Sequence, residues 1–144
     1  MFSKNGVTYT FHHVGIPTHE KHSDERYSEV YKFSTRDDDC SLIRVQWHRF
    51  DVDSPLHELI RSQPHIAFKV SDLEKAIVDE DVILGPYEPI PGFKVAVIKN
   101  GNISIELIQT TLTDEAIWGK ALKENALYKK DKESVAQLKK GIGQ

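Results

Sequence analysis

The sequence predicts an α+β protein built from two related strand-rich units, and three observations carry that expectation. Strand-like runs with β-branched and alternating apolar residues recur along most of the chain. Two of them open alike, Phe11-His12-His13-Val14-Gly15-Ile16 and Gln63-Pro64-His65-Ile66-Ala67-Phe68, each a strand with a histidine just inside its start. Two others finish alike, Ile43-Arg44-Val45-Gln46-Trp47-His48 and Ile103-Ser104-Ile105-Glu106-Leu107-Ile108, so each unit has a matching beginning and end.

Taken in order, Val7 to Ile16 reads as a strand stopped by Pro17, and Thr18 to Arg26 as a polar loop. Tyr27 to Ser34 reads as a strand, and Arg36-Asp37-Asp38-Asp39 as a charged break. From Ser41 to Phe50 the alternation puts Val45 and Trp47 on one face and Arg44, Gln46 and His48 on the other. Ser54 and Pro55 are suited to cap a short helix with Leu56, Leu59 and Ile60 on its apolar stripe, ended by Pro64. His65 to Val70 is a strand. Ser71-Asp72-Leu73-Glu74 has the form of a capping box before a helix that buries Leu73, Ala76 and Ile77. A short strand over Asp81 to Leu84 precedes a turn-rich stretch to Gly92. Two strands, Phe93 to Ile98 and Ile103 to Gln109, are then joined through Asn100-Gly101, a hairpin signal. Thr113 to Lys123 reads as a helix capped by Thr113, with Ile117, Ala121 and Leu122 toward the sheet, and a lysine-rich tail follows. The expected division is a domain over 1–112, with units at about 7–50 and 64–110, and a helical extension over 113–144.

The chain has 144 residues, enough for one domain with its own core. A net charge of -3 argues against nucleic acid or an acidic membrane as partner. The single cysteine, Cys40, excludes an internal disulfide and fits a reducing compartment. With no membrane-length apolar run and no secretory signal pattern, the expected location is cytoplasmic.

Seven histidines are the first sign of chemistry, since imidazole is the commonest metal ligand. His19, His22 and His57 lie in polar stretches and are expected at the surface. His12 should face away from the cleft and serve a structural role.

The segments His12-His13-Val14-Gly15-Ile16-Pro17-Thr18, Pro64-His65 through Ile77, and Gly101 through Gln109 resemble the vicinal oxygen chelate superfamily. The stretch from Ser54 to Val70 looks most like methylmalonyl-CoA epimerases and glyoxalase I enzymes. The resemblance is good from about Pro55 to Gln109, partial from Phe11 to Phe50, and absent in the tail. It implies paired βαβββ modules in a cupped mixed sheet, with the first module abbreviated: 33 positions separate His13 from Gln46, against 41 from His65 to Glu106. It also implies one divalent ion, Zn, Ni, Co, Mn or Fe, held by His13, Gln46, His65 and Glu106, a mixed nitrogen and oxygen set. His48, two residues from Gln46 on the same face, is the alternative first-module ligand or a base. Glu106 is expected to be a ligand and a proton-transfer base. The residues also admit a metal-free arrangement, in which the histidines are hydrogen-bonded within the sheet and Glu106 pairs with Arg44 or Lys69.

Three function classes follow. The leading one is a metal-dependent isomerase or lyase acting on a small α-oxygenated carbonyl compound or acyl thioester through a metal-stabilised enolate. The second is a non-haem Fe(II) dioxygenase using the two histidines and one carboxylate. The third is a non-enzymatic, bleomycin-resistance-like ligand binder. The expected partner is a small molecule, and the resemblance is compatible with a homodimer.

Overall fold

The computed structural model describes residues 1–38 and 42–117. The start of the strand expected from Ser41, and the helix and tail expected beyond Ile117, lie outside the described residues. The described residues form β1 (Phe2–Lys4), β2 (Val7–Pro17), β3 (Arg26–Ser28), β4 (Phe33–Asp38), β5 (Val45–Phe50), α1 (Glu58–Ser62), β6 (His65–Val70), α2 (Leu73–Ala76), β7 (Asp81–Ile90), β8 (Phe93–Asn100) and β9 (Ile103–Thr110). The strands form one curled mixed sheet in the order β3-β4-β5-β2-β6-β9-β8-β7, with β1 paired to β2. No helix among the described residues is long and apolar enough to cross a membrane.

The sheet is two copies of one plan. In the first, β2 pairs in parallel with β5; in the second, β6 pairs in parallel with β9. The halves meet along an antiparallel β2–β6 ladder. The second half keeps α2 between its first and second strands, whereas residues 18–25 of the first half contain no helix. The abbreviation expected from the shorter spacing is therefore a lost helix.

Two apolar layers flank the sheet. On one side Val7, Val70, Ala96, Ile98 and Leu107 pack with Leu73 and Ala76 of α2. Cross-strand partners share a face, so Val97 and Leu84 lie on the opposite side with Glu106. There they pack with Tyr31, Phe33, Leu56 and Ile60, and α1 crosses the concave surface. A third cluster joins Ala67, Phe93, Val95 and Ile108 to Ile117, so the segment after β9 also folds onto the sheet.

Several local expectations are corrected. Arg36, Asp37 and Asp38 do not break the chain but extend β4, paired with Trp47, Gln46 and Val45. Their charges are matched across strands, with Arg26 3.0 Å from Asp37. The strand expected over Tyr27 to Ser34 is instead split into β3 and β4 by a turn at residues 29–32, where Lys32 takes φ 55°. β7 runs on through Pro86 and Pro89, because it is an edge strand whose irregular register tolerates proline. Ser54 does not cap α1. His57 does, accepting from Leu59 N at 3.1 Å, while Ser54 Oγ donates to Tyr31 O. Likewise Asp72 caps α2, and Ser71 Oγ instead accepts from Thr8 N. Asn5-Gly6, both at positive φ, makes an additional hairpin between β1 and β2.

Leu107 is 1% exposed in the middle of the α2-side layer. Leu107→Ala is expected to cost about 2–5 kcal/mol of unfolding free energy, measured by urea denaturation. Ile66→Ala, at a position 38% exposed, should cost far less.

Candidate metal centre

The β2–β6 ladder sets His13 opposite Ala67 and Gly15 opposite His65. Exchanging the two halves maps each pair onto the other. The same exchange relates the parallel pairs, Gly15 with Gln46 and Ala67 with Glu106. The four expected ligand positions are thus two symmetric pairs on one face of the sheet. This register supports Gln46 as the counterpart of Glu106, independently of the uneven loop lengths.

The small residues at 15 and 67 are part of the construction. A Cβ added to Gly15 would lie 2.1 Å from His65 Cε1, so the imidazole rests on bare backbone. Ala67 is fully buried beside His13. The sequence held this signal in His13-Val14-Gly15 and His65-Ile66-Ala67, a histidine followed two positions later by a small residue.

His13, His65 and Glu106 converge. His65 Nε2 lies 3.2 Å and His13 Nε2 3.9 Å from Glu106 Oε1. One ligand atom from each of the three lies within 4.8 Å of the others. Donors held ~2.0–2.2 Å from one cation stand roughly 3–4 Å apart, so the spacing fits a divalent ion. Burial is deep: the side chains are 3%, 8% and 16% exposed for His13, His65 and Glu106. Burial pushes the His13 imidazole down to about 3, against the attraction of Glu106, and so keeps it neutral with a lone pair to donate. Burial alone would raise Glu106, but His13, His65 and His48 together hold its carboxyl well below the usual range.

His48 and Gln46 share this face but stand apart from the trio. His48 is not within the 4.8 Å group. Its ring stacks on His65 at 5.7 Å, and its Nδ1 is 3.0 Å from Thr35 Oγ1. Burial, then His65, push it down to about 3. Gln46 Nε2 donates to Asp37 Oδ1 at 3.0 Å, so Oε1 is the amide atom turned away from that carboxylate. His19, His22 and His57 are exposed, as expected.

A β-bulge between Phe11 and His13 breaks the strand alternation. His12 therefore does not point away from His13: their Nδ1 atoms are 2.8 Å apart, and its ring is 5% exposed. Alternation along β2 could not reveal this, because a bulge is a property of the pairing.

A cavity of about 50 Å³ opens beside the trio, lined by His48, His65 and Glu106 and by an apolar wall that includes Tyr31, Phe33 and Leu84. Larger hollows of about 490 and 540 Å³ lie elsewhere, against Lys69, Ser71, Lys94 and Gln109. None of the trio lines them.

His13 and His48 both sit near 3 in the folded protein against a usual 6.5. Unfolding therefore takes up protons between these values, and stability present above pH 6.5 is lost as pH falls toward 3. Urea midpoints of metal-free protein at pH 7.0, 5.5 and 4.5 (values on the order of those that span this window) should fall steadily, and a flat profile would contradict the burial of neutral imidazoles.

No protein-family model matches the chain, and no curated protein matches it in sequence. Among solved structures, two of those similar to it are informative about the fold. One is a hypothetical protein from Bacillus halodurans C-125, 15% identical, with TM-score 0.55 over 75% of this chain and 99% of that one. The other is methylmalonyl-CoA epimerase from Mycobacterium tuberculosis, 16% identical, with TM-score 0.53 over 78% of this chain and 94% of that one. Identity this low makes the likeness one of fold: the chain shares the glyoxalase-like fold of that epimerase.

Proposed function

We propose that the protein is a divalent-metal-dependent isomerase or lyase of the vicinal oxygen chelate type, acting on a small α-oxygenated carbonyl compound or acyl thioester. The observation that carries the reading is the buried meeting of His13, His65 and Glu106 on the seam between two symmetric half-sheets, beside a cavity. It is supported by the fold shared with an epimerase of an acyl thioester. A small-molecule partner, a homodimer and a cytoplasmic location belong to the same proposal.

His13, His65 and Glu106 would hold the ion, with Gln46 as the fourth ligand from the symmetric position. A bound ion supplies a Lewis acid that polarises a substrate oxygen and so acidifies the neighbouring C–H. The chain's own residues do the rest. Glu106, ionised at neutral pH, can accept a proton from the substrate carbon. His48, neutral and oriented by the Thr35 hydroxyl, is the second group able to take or return it. Phe33, Phe50, Leu56, Leu84 and Val97 wall the cavity and exclude water, which strengthens each electrostatic contact inside.

The trio is also the two-histidine, one-carboxylate set of non-haem Fe(II) oxygenases. Anaerobic iron loading followed by oxygen uptake with catechols distinguishes that second reading. A chain that purifies without metal, and still binds an aromatic or cationic compound tightly, would instead be a ligand-sequestering protein.

Glu106→Ala is expected to abolish both metal uptake and turnover, measured by elemental analysis and by solvent-deuterium exchange into candidate substrates. Unchanged metal content would refute the metal reading. His48→Gln should keep the metal and lose turnover by about 10²-fold or more if its ring moves the proton.

A further inference from the structure

Two features near His13 have no part in the proposed reaction: the bulged neighbour His12 and the acidic residue Asp114, which follows β9. His12 Nδ1 is 2.8 Å from His13 Nδ1, and His12 Nε2 is 3.5 Å from Asp114 Oδ1. Asp114 is brought there by the segment after β9. That segment docks through Ile117, 6% exposed, and turns at Thr113, whose Oγ1 accepts from Ala116 N at 3.2 Å.

Two ring nitrogens 2.8 Å apart must share one proton. Two protons would repel, and so would two lone pairs. A neutral imidazole carries a single N–H. Only two arrangements remain. In one, His12 Nδ1 carries the shared proton. His12 Nε2 then turns a bare lone pair toward the Asp114 carboxylate, and the proton on His13 Nε2 faces Glu106 Oε1 at 3.9 Å, beyond hydrogen-bond reach. In the other, His13 Nδ1–H donates to His12 Nδ1, and His12 Nε2–H faces Asp114. The 3.5 Å gap is long, but the Asp114 side chain is 65% exposed and can rotate to close it. The second arrangement leaves the His13 Nε2 lone pair aimed toward the Glu106 carboxylate, and a cation between them removes that repulsion.

We propose that Asp114 and His12 form a relay that fixes the His13 tautomer, with Nδ1 protonated and Nε2 bare for a divalent ion. Both are positioning residues, and the proposal rests on the metal reading of His13, His65 and Glu106. A metal-bound histidine gains orientation and basicity when its other nitrogen donates to an acceptor. Here the acceptor is a second imidazole, made available by the β-bulge and polarised by a carboxylate from beyond the last strand. The segment after β9 is thereby tied to the affinity of a site it does not enter.

The test uses the full chain. Long-range ¹⁵N–¹H correlation of the Zn²⁺-loaded protein should show His13 protonated at Nδ1 and His12 at Nε2; a His12 ring protonated at Nδ1 instead overturns the relay. Calorimetric titration with Co²⁺ or Zn²⁺ should show affinity weakened by about 10–100-fold in His12→Phe and in Asp114→Ala. Asp114 is exposed, so its removal leaves the fold intact, checked by circular dichroism. Wild-type binding that survives both substitutions within twofold sinks the relay alone. A wild-type chain that takes up no divalent ion sinks the metal reading and the relay together.

Discussion

The antiparallel seam between β2 and β6 is the constraint from which the centre follows. With His13 opposite Ala67 and Gly15 opposite His65, each imidazole has a small residue across the ladder. A slip of one residue would turn one strand's histidine to the outer face. The parallel ladders then carry the same register outward, to Gln46 on one side and Glu106 on the other. Four positions on four strands are therefore brought to one face by three pairings, two of them related by symmetry.

Burying three imidazoles and a carboxylate costs desolvation free energy that a protein core does not recover from packing alone. The surroundings show how the cost is limited. Burial keeps the His13 and His48 rings neutral, the carboxylate faces imidazoles, and His48 and Gln46 are tied to Thr35 and Asp37. Ionic contacts are grouped toward the edge of the first half, where Arg26 meets Asp37 and Arg49 meets Glu25. The apolar layer under α1 closes the same face on the other side. The result is a polar seam enclosed by aromatic and aliphatic walls, where a bound ligand would be held away from water.

Much of the architecture could be read from residue pattern. Alternation located β2, β5, β6, β8 and β9 to within a few residues, and Asn100-Gly101 marked the hairpin between the last two. What failed were features decided by pairing partners. Arg36 to Asp38 have the composition of a turn, yet they extend β4, because Arg26 and β5 supply partners. Pro86 and Pro89 look like strand breakers, but an edge strand has one side free of the ladder. The caps of α1 and α2 were misplaced by three positions and one, since Ser54 and Ser71 had better partners elsewhere, whereas Thr113 does accept from Ala116 N.

By itself the sequence determined the two-unit organisation and the four positions expected to hold an ion, because repeated openings and endings survive as local residue pattern. The tertiary structure alone decided how those positions relate. It set Gln46 as the symmetric mate of Glu106, gave His48 to Thr35, and brought His12 back beside His13 through a bulge. It also carried Asp114, about a hundred residues from His12 in sequence, to within 3.5 Å of that ring. Register, bulges and long-range docking arise from contacts between strands, and strand periodicity within one segment holds no record of them.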